Sequence, residues 1–158
     1  KVFKEENWMK KYIYESLLIK KKIIEQDEFD MDIRNVMNYG HSFGHAIETA
    51  TKYSIPHGIA VTIGMDMANF VSNKLGITTK SHFKRMHPLL DENVGLYRKK
   101  NINPDLILEA IVKDKKNTNS QLKLILPDKN GFIQICLQKK NKRFDSAVEE
   151  YCSTYQSN

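Results

Sequence analysis

The stretch that decides the fold is "NYGHSFGHAIETATKYSIPHGIAVTIGMDMANFVSNKLG", residues 38–76. Its second half carries Ile59, Ile63, Met67, Phe70 and Val71 at helical steps, an apolar stripe over about 57–75. Ala60, Gly64 and Ala68 keep a neighbouring face small. Small side chains four residues apart let another backbone approach closely, so this helix is expected to be central. Gly76 stands where a helix C-terminal stop belongs. Upstream, a second helix is predicted from about Arg34 or Tyr39 through Thr51, with Pro56 and Gly58 punctuating the join.

Outward from this pair, Trp8, Tyr12, Leu17, Leu18, Ile19 and Ile23 recur at three- and four-residue steps and predict a helix over about Glu6–Gln26. "DEFDMD" (27–32) breaks that pattern as a solvated acidic loop. Two weaker helices are expected at about 79–91 and 104–113, the latter opening "NPDLILEAI" with a cap and a proline. "QLKLILP" (121–127) and "FIQICL" (132–137), separated by "DKNG", read as a hairpin. "FDSAVEEYCSTY" reads as a short terminal helix. The predicted class is therefore mainly α: a multi-helix bundle with a small β-hairpin near 121–137, forming one domain over 1–158. No glycine-rich phosphate loop follows a strand, so a nucleotide-binding half would have to lie outside these residues.

The chain has 158 residues, 41% hydrophobic and 28% charged, with a formal net charge of +6. A basic balance serves nucleic acid or an anionic small molecule equally well. Here the cations are dispersed, in "KKK" (20–22), "KDKK" (113–116) and "KKNKR" (139–143), with no interleaved aromatics or zinc-finger spacing. The reading is a solvated surface plus a few cations facing a small anion, with no nucleic acid. No apolar run approaches the roughly 20 residues of a membrane span. The opening "KVFKEENWMKK" has no apolar signal region and no initiator Met, which suggests an internal or C-terminal piece of a longer protein. Cys136 and Cys152 lack metal spacing and read as reduced thiols of a cytoplasmic protein.

Three of the five histidines, His41, His45 and His57, fall inside the opening stretch. His41 and His45 are one helical turn apart, a spacing two ligands of one metal can use, and His57 can fold back onto the same face. Spacing leaves two readings open: a metal pair at 41 and 45, or one hydrogen-bonded core histidine with surface companions. Gly40, Gly44 and Gly58 sit beside these histidines. A mid-helix glycine costs about 1 kcal/mol against alanine. Accepting that cost points to backbone close to a ligand, a metal or a neighbouring helix.

"RNVMNYGHSFGHAIE", then "PHGIAVTIGM", then "DKKN" and "LKLILP", resemble the C-terminal domain of 3-dehydroquinate synthase and its sugar-phosphate cyclase relatives, from about Lys20 to Pro127. The G-H-[ST]-x-G-H-A-x-E element is highly specific. The resemblance implies the C-terminal half of an NAD- and zinc-dependent carbon–oxygen lyase that cyclises a seven-carbon acidic sugar phosphate with loss of phosphate, in aromatic amino acid biosynthesis. It implies metal ligation (zinc, or another divalent ion such as cobalt) by His41 and His57, with His45 free as an acid/base group. It matches Lys20, Arg34, Asn38 and, in "DKKN", Lys115 or Lys116 to residues that hold the anionic substrate. It further implies a third ligand, a glutamate, and an NAD-binding domain upstream of Lys1. A homodimer is the oligomer the resemblance offers, and the fragment alone is expected to be inactive.

Two departures from the family pattern stand out. Asp30 occupies the position of a catalytic-site glutamate four residues before the arginine. Ile59 replaces the glutamate of H-G-E, removing a carboxylate expected to orient the ligands. Asp66 is a candidate to compensate, or else a surface residue. His82 and His87 match nothing and are expected on the surface. The departures motivate a second reading, a cyclase of the same family with another substrate in a secondary-metabolite or surface-sugar pathway. A third is a non-catalytic helical remnant.

Overall fold

In a computed structural model the described residues are 5–29, 33–114 and 121–155. They resolve into two compact units, one up to Met37 and one from Asn38 onward. Asp30, Lys115 and Lys116 lie outside the described residues.

The first unit is built on α1 (Glu6–Gln26), none of whose side chains is buried. Ion pairs four residues apart, Lys10 to Glu6 at 2.6 Å and Lys21 to Glu25 at 3.6 Å, lie along the helix. After it, the Arg34 backbone N–H donates to Asp27 Oδ2 at 3.0 Å, and the Arg34 guanidinium donates to the Glu28 carbonyl at 2.9 Å. The predicted acidic loop is thus in part a local clasp around Arg34. A short 3-10 helix, Ile33–Asn38, follows.

The second unit contains α2 (His41–Ala50), α3 (His57–Leu75), α4 (Lys80–Val94), α5 (Pro104–Lys113), β1 (Gln121–Pro127), β2 (Ile133–Lys139) and α6 (Lys142–Tyr155). The central helix is α3, which packs on α2, α4, α6 and β1. It buries eleven residues, among them Ile63, Met67, Phe70 and Val71. Around it stand Phe43 and Ile47 of α2, Ile107 and Ile111 of α5, Leu122 and Leu124 of β1, and Phe144 and Val148 of α6. The helical class with one antiparallel hairpin is as expected.

Of the two starts the sequence offers for the second helix, about Tyr39 agrees with α2 and Arg34 does not, because 33–38 form a separate 3-10 helix. Gly40 takes a left-handed φ of +80°, which separates the 3-10 helix from α2. The reason is packing. A Cβ on Gly64 would collide with the Gly40 carbonyl and the Gly44 amide, and one on Gly40 would lie 2.8 Å from the Val61 carbonyl. α2 and α3 therefore meet backbone to backbone through Gly40, Gly44 and Gly64.

The hairpin pairs Gln121 with Lys139 through Pro127 with Ile133. Its turn closes on Asp128, whose Oδ1 accepts the Asn130 and Phe132 amides at 2.8 Å each. Ser72 of α3 donates to the Pro127 carbonyl at 2.8 Å, which fastens the hairpin to the central helix.

His82 and His87, expected on the surface, belong to the interior instead. His82 is buried, and its Nε2 lies 3.2 Å from Asn69 Oδ1, which also accepts the Tyr39 hydroxyl at 2.6 Å. His87 Nδ1 lies 2.7 Å from Asp66 Oδ2, and its ring packs on Tyr155 with centroids 4.5 Å apart. Asp66 is buried and also accepts the Tyr151 hydroxyl at 2.9 Å. Its polar partners among the described residues are thus His87 of α4 and Tyr151 of α6, none of them His41, His45 or His57, so it does not take the place of the carboxylate missing at Ile59. Period-based reading failed here because a polar residue on the buried face of α3 needs a polar partner, which only the packing of α4 and α6 reveals.

Candidate functional site

His41 opens α2, His45 follows one turn later, and His57 opens α3. The glycine contacts hold these two helices together at the end where the imidazoles project. The three rings form a near-equilateral triangle: centroids are 5.6 Å apart for His41 and His45, 5.6 Å for His41 and His57, and 5.8 Å for His45 and His57. His41 is half-buried, while His45 and His57 are exposed.

The rings differ in their hydrogen bonds. His41 Nδ1 lies 3.3 Å from the Tyr39 carbonyl oxygen. A carbonyl only accepts, so Nδ1 carries the proton and the Nε2 lone pair is free. Burial pushes the His41 pKa down, with the neighbouring His45 and His57 adding to the effect, which favours the neutral ring. His57 Nδ1 lies 3.1 Å from Glu48 Oε1. His45 is exposed, and among the described residues neither of its ring nitrogens has a hydrogen-bond partner shown.

Glu48 is the residue that sequence reasoning missed. It is buried to 9% exposure on α2. It brings a carboxylate oxygen within 4.8 Å of ligand-capable atoms of both His45 and His57, and these mutual distances make the three a group able to hold a cation. The available signal was its spacing. Glu48 lies three residues after His45 and seven after His41, which places all three on one helical face.

A groove of about 340 Å³ lies between α2 and α5, lined by Ser42, His45 and Thr49 of α2, by Ala110 and Lys113 of α5 and by Asp114 just after it. His45 therefore faces open space bordered by a cation, while Lys115 and Lys116 follow directly in the chain. Asn38 is half-buried at the end of the 3-10 helix. Lys20, exposed on α1, and Arg34 belong to the first unit. Gly58, one position after His57, faces open space: a Cβ there would meet nothing within 4 Å.

The family model of the 3-dehydroquinate synthase C-terminal domain matches residues 1–117. The chain belongs to that family. A 3-dehydroquinate synthase of Helicobacter pylori (strain ATCC 700392 / 26695) is 37% identical over 144 residues, which are 90% of this chain and 42% of that protein. One of Dehalococcoides mccartyi (strain CBDB1) is 37% identical over 123 residues, 78% of this chain and 34% of its own length. The chain thus spans well under half of either dehydroquinate synthase. Among solved structures, a 2-deoxy-scyllo-inosose synthase complexed with carbaglucose-6-phosphate, NAD+ and Co2+ superposes with a TM-score of 0.69 at 22% identity, over 83% of this chain and 39% of that one. The 2-epi-5-epi-valiolone synthase of Streptomyces hygroscopicus subsp. jinggangensis 5008, with NAD+ and Zn2+ bound, gives 0.61 at 20% identity, over 84% and 36%. At those identities the likeness is one of fold: this helical arrangement is that of sugar-phosphate cyclases.

Proposed function

We propose that this chain is the metal- and substrate-binding part of a 3-dehydroquinate synthase, a lyase that cyclises a seven-carbon acidic sugar phosphate with loss of phosphate. The observation that carries this reading is the triangle of imidazoles, in which the Tyr39 carbonyl fixes the proton of His41 on Nδ1 while His45 faces a groove. The donor set fits zinc or cobalt. His41 and His57 each have Nδ1 beside an oxygen acceptor, which leaves Nε2 with the lone pair that a divalent ion takes. We assign ligation to these two, with a third ligand from sequence ahead of Lys1. Bound there, the ion supplies Lewis acidity to a substrate hydroxyl, and NAD, held by an N-terminal domain, supplies the hydride acceptor.

This chain's own residues do the rest. His45, whose ring nitrogens have no hydrogen-bond partner shown among the described residues and which lines a groove open to substrate, takes up and returns a proton at a ring nitrogen. An imidazole whose lone pair sits on a metal has no such capacity, which is why the three rings divide the work. Lys20, Arg34, Asn38, Lys115 and Lys116 hold the phosphate and carboxylate of the substrate. Arg suits bidentate carboxylate contact and Lys acts as a point charge. Asp30 keeps a carboxylate four residues before Arg34. We place the protein in the cytoplasm; no helix among the described residues is long and apolar enough to cross a membrane.

Ile59 supports a second reading, in which a cyclase of this family takes a different sugar phosphate. The test is phosphate release by the protein expressed with all the sequence its gene encodes ahead of Lys1, with NAD and zinc. Turnover of the dehydroquinate precursor supports the first reading. Silence there with turnover of sedoheptulose or glucose phosphates supports the second. Silence on all of them, with neither zinc nor NAD retained, sinks both in favour of a non-catalytic remnant.

A further inference from the structure

The Glu48 carboxylate has a specific place in this geometry. It sits on the buried side of α2 and is 12% exposed, yet its one hydrogen bond shown among the described residues is to the 57% exposed imidazole of His57. A buried carboxylate without a partner is costly, so an acceptor at this position is expected to be matched to a donor. The donor it meets is a ring that no other described hydrogen bond orients. The family's H-G-E carboxylate is gone at Ile59, and Asp66 is bonded to His87 and Tyr151.

We infer that Glu48 is the positioning residue of His57: it holds the ring proton on Nδ1 and turns the Nε2 lone pair toward the point shared with His41. Glu48 acts through His57 and touches neither metal nor substrate. A carboxylate behind a ligand imidazole fixes its tautomer and its orientation and raises its basicity as a ligand. The two ligand rings are then prepared by the same means, an oxygen acceptor behind Nδ1: a carbonyl at 3.3 Å for His41 and a carboxylate at 3.1 Å for His57. This inference rests on the zinc-lyase reading for the identity of the metal, but the tautomer it assigns to His57 does not.

Two variants, Glu48→Gln and Glu48→Ala, test it in the full-length protein. Gln keeps an oxygen that accepts from Nδ1–H and loses the charge; Ala loses both. Zinc affinity is measured by competition with a chromogenic chelator, and the His57 tautomer in the zinc-free protein by nitrogen-15 NMR at a pH where the ring is neutral. The expected result is a protonated Nδ1 in the wild type and in E48Q, and a mixture of tautomers in E48A. Zinc affinity should fall about 10- to 100-fold in E48A and much less in E48Q. Zinc bound equally well by wild type and E48A, or an unchanged tautomer in E48A, overturns the inference and leaves the lyase reading standing. Equal losses in E48Q and E48A, with the tautomer kept in E48Q, overturn it in favour of Glu48 as a direct ligand. A wild type that binds no zinc overturns the lyase reading, and with it the ligand role given to His57. A merely structural Glu48 would lower the melting temperature of the zinc-free protein without moving the His57 nitrogen shifts.

Discussion

Asp66 Oδ2 receives both His87 and Tyr151, so three buried or half-buried polar side chains from α3, α4 and α6 depend on one oxygen. Burial pushes the Asp66 pKa up, while the adjacent His87 and Tyr151 pull the other way. Asp66→Ala strands a hydroxyl and an imidazole. A loss of roughly 3 kcal/mol is expected, read as a lower urea midpoint, with a smaller loss for Asp66→Asn. His82 gives a pH prediction. Burial pushes its pKa below the ordinary 6.5. The unfolded chain therefore takes the proton first, and the stability that His82 contributes is present above pH 6.5 and lost as pH falls below it. His41 shifts in the same direction and adds to the loss. Melting temperatures measured from pH 7.5 to 5 should fall on acidification, and less steeply in His82→Gln, which keeps a donor for Asn69 and does not titrate. A slope unchanged in H82Q would assign the effect to other groups. At this scale the sequence was a partial guide. His41, His45 and His57 were legible because glycines and motif spacing mark them. His82, His87 and Asp66 were not, because isolated polar residues on a helix look the same whether they meet solvent or one another.

α2 and α3 are joined through glycine, and two glycines of α3, Gly64 and Gly58, give opposite forecasts. Gly64→Ala pushes a methyl group into the Gly40 carbonyl and the Gly44 amide. Neither is a flexible side chain, so the helices must separate. A loss of at least about 1–3 kcal/mol is expected, together with weaker zinc binding, because His57 moves away from His41. Gly58→Ala meets open space in the first turn of α3, and helix propensity favours alanine by up to about 1 kcal/mol. Its melting temperature should rise or hold. Calorimetry on the pair checks both directions, and a Gly58→Ala variant as damaged as Gly64→Ala would contradict the packing described above. The bounds of α3 were readable in advance because an apolar stripe starts after Pro56 and stops at Gly76, where φ is +79°. The start of α2 was left between about Arg34 and Tyr39, and the left-handed turn at Gly40 that sets it near Tyr39 answers to Gly64, which lies 24 positions later in the chain.

For the molecule as a whole, the length relation to its relatives decides what the chain does alone. It spans 42% of the Helicobacter pylori dehydroquinate synthase, and its two assigned imidazole ligands are one short of the usual three of a catalytic zinc site. Residues 1–158 expressed alone are expected to show no phosphate release, no NAD binding, and zinc binding too weak to survive dialysis. Equilibrium dialysis and a phosphate assay check all three, and measurable turnover from these residues would refute the assignment of the hydride acceptor to another domain. Composition offers no apolar run long enough for a membrane span and leaves a small anionic partner as an expectation. It said nothing of which anion, because dispersed lysines carry charge without geometry.

The glycine seam between α2 and α3 has a mechanical consequence. Where helices are spaced by side chains, their separation follows whatever fills the layer, and a methylene gained or lost is felt along the whole contact. Here peptide groups abut directly, so the gap between His41 and His57 is a matter of covalent dimensions rather than of filling. Remodelling the interior around Leu124 of β1 should lower the melting point without altering how tightly the cation is gripped. Such a hinge-free clamp would let the outer helices diversify among relatives while the histidine geometry stays constant.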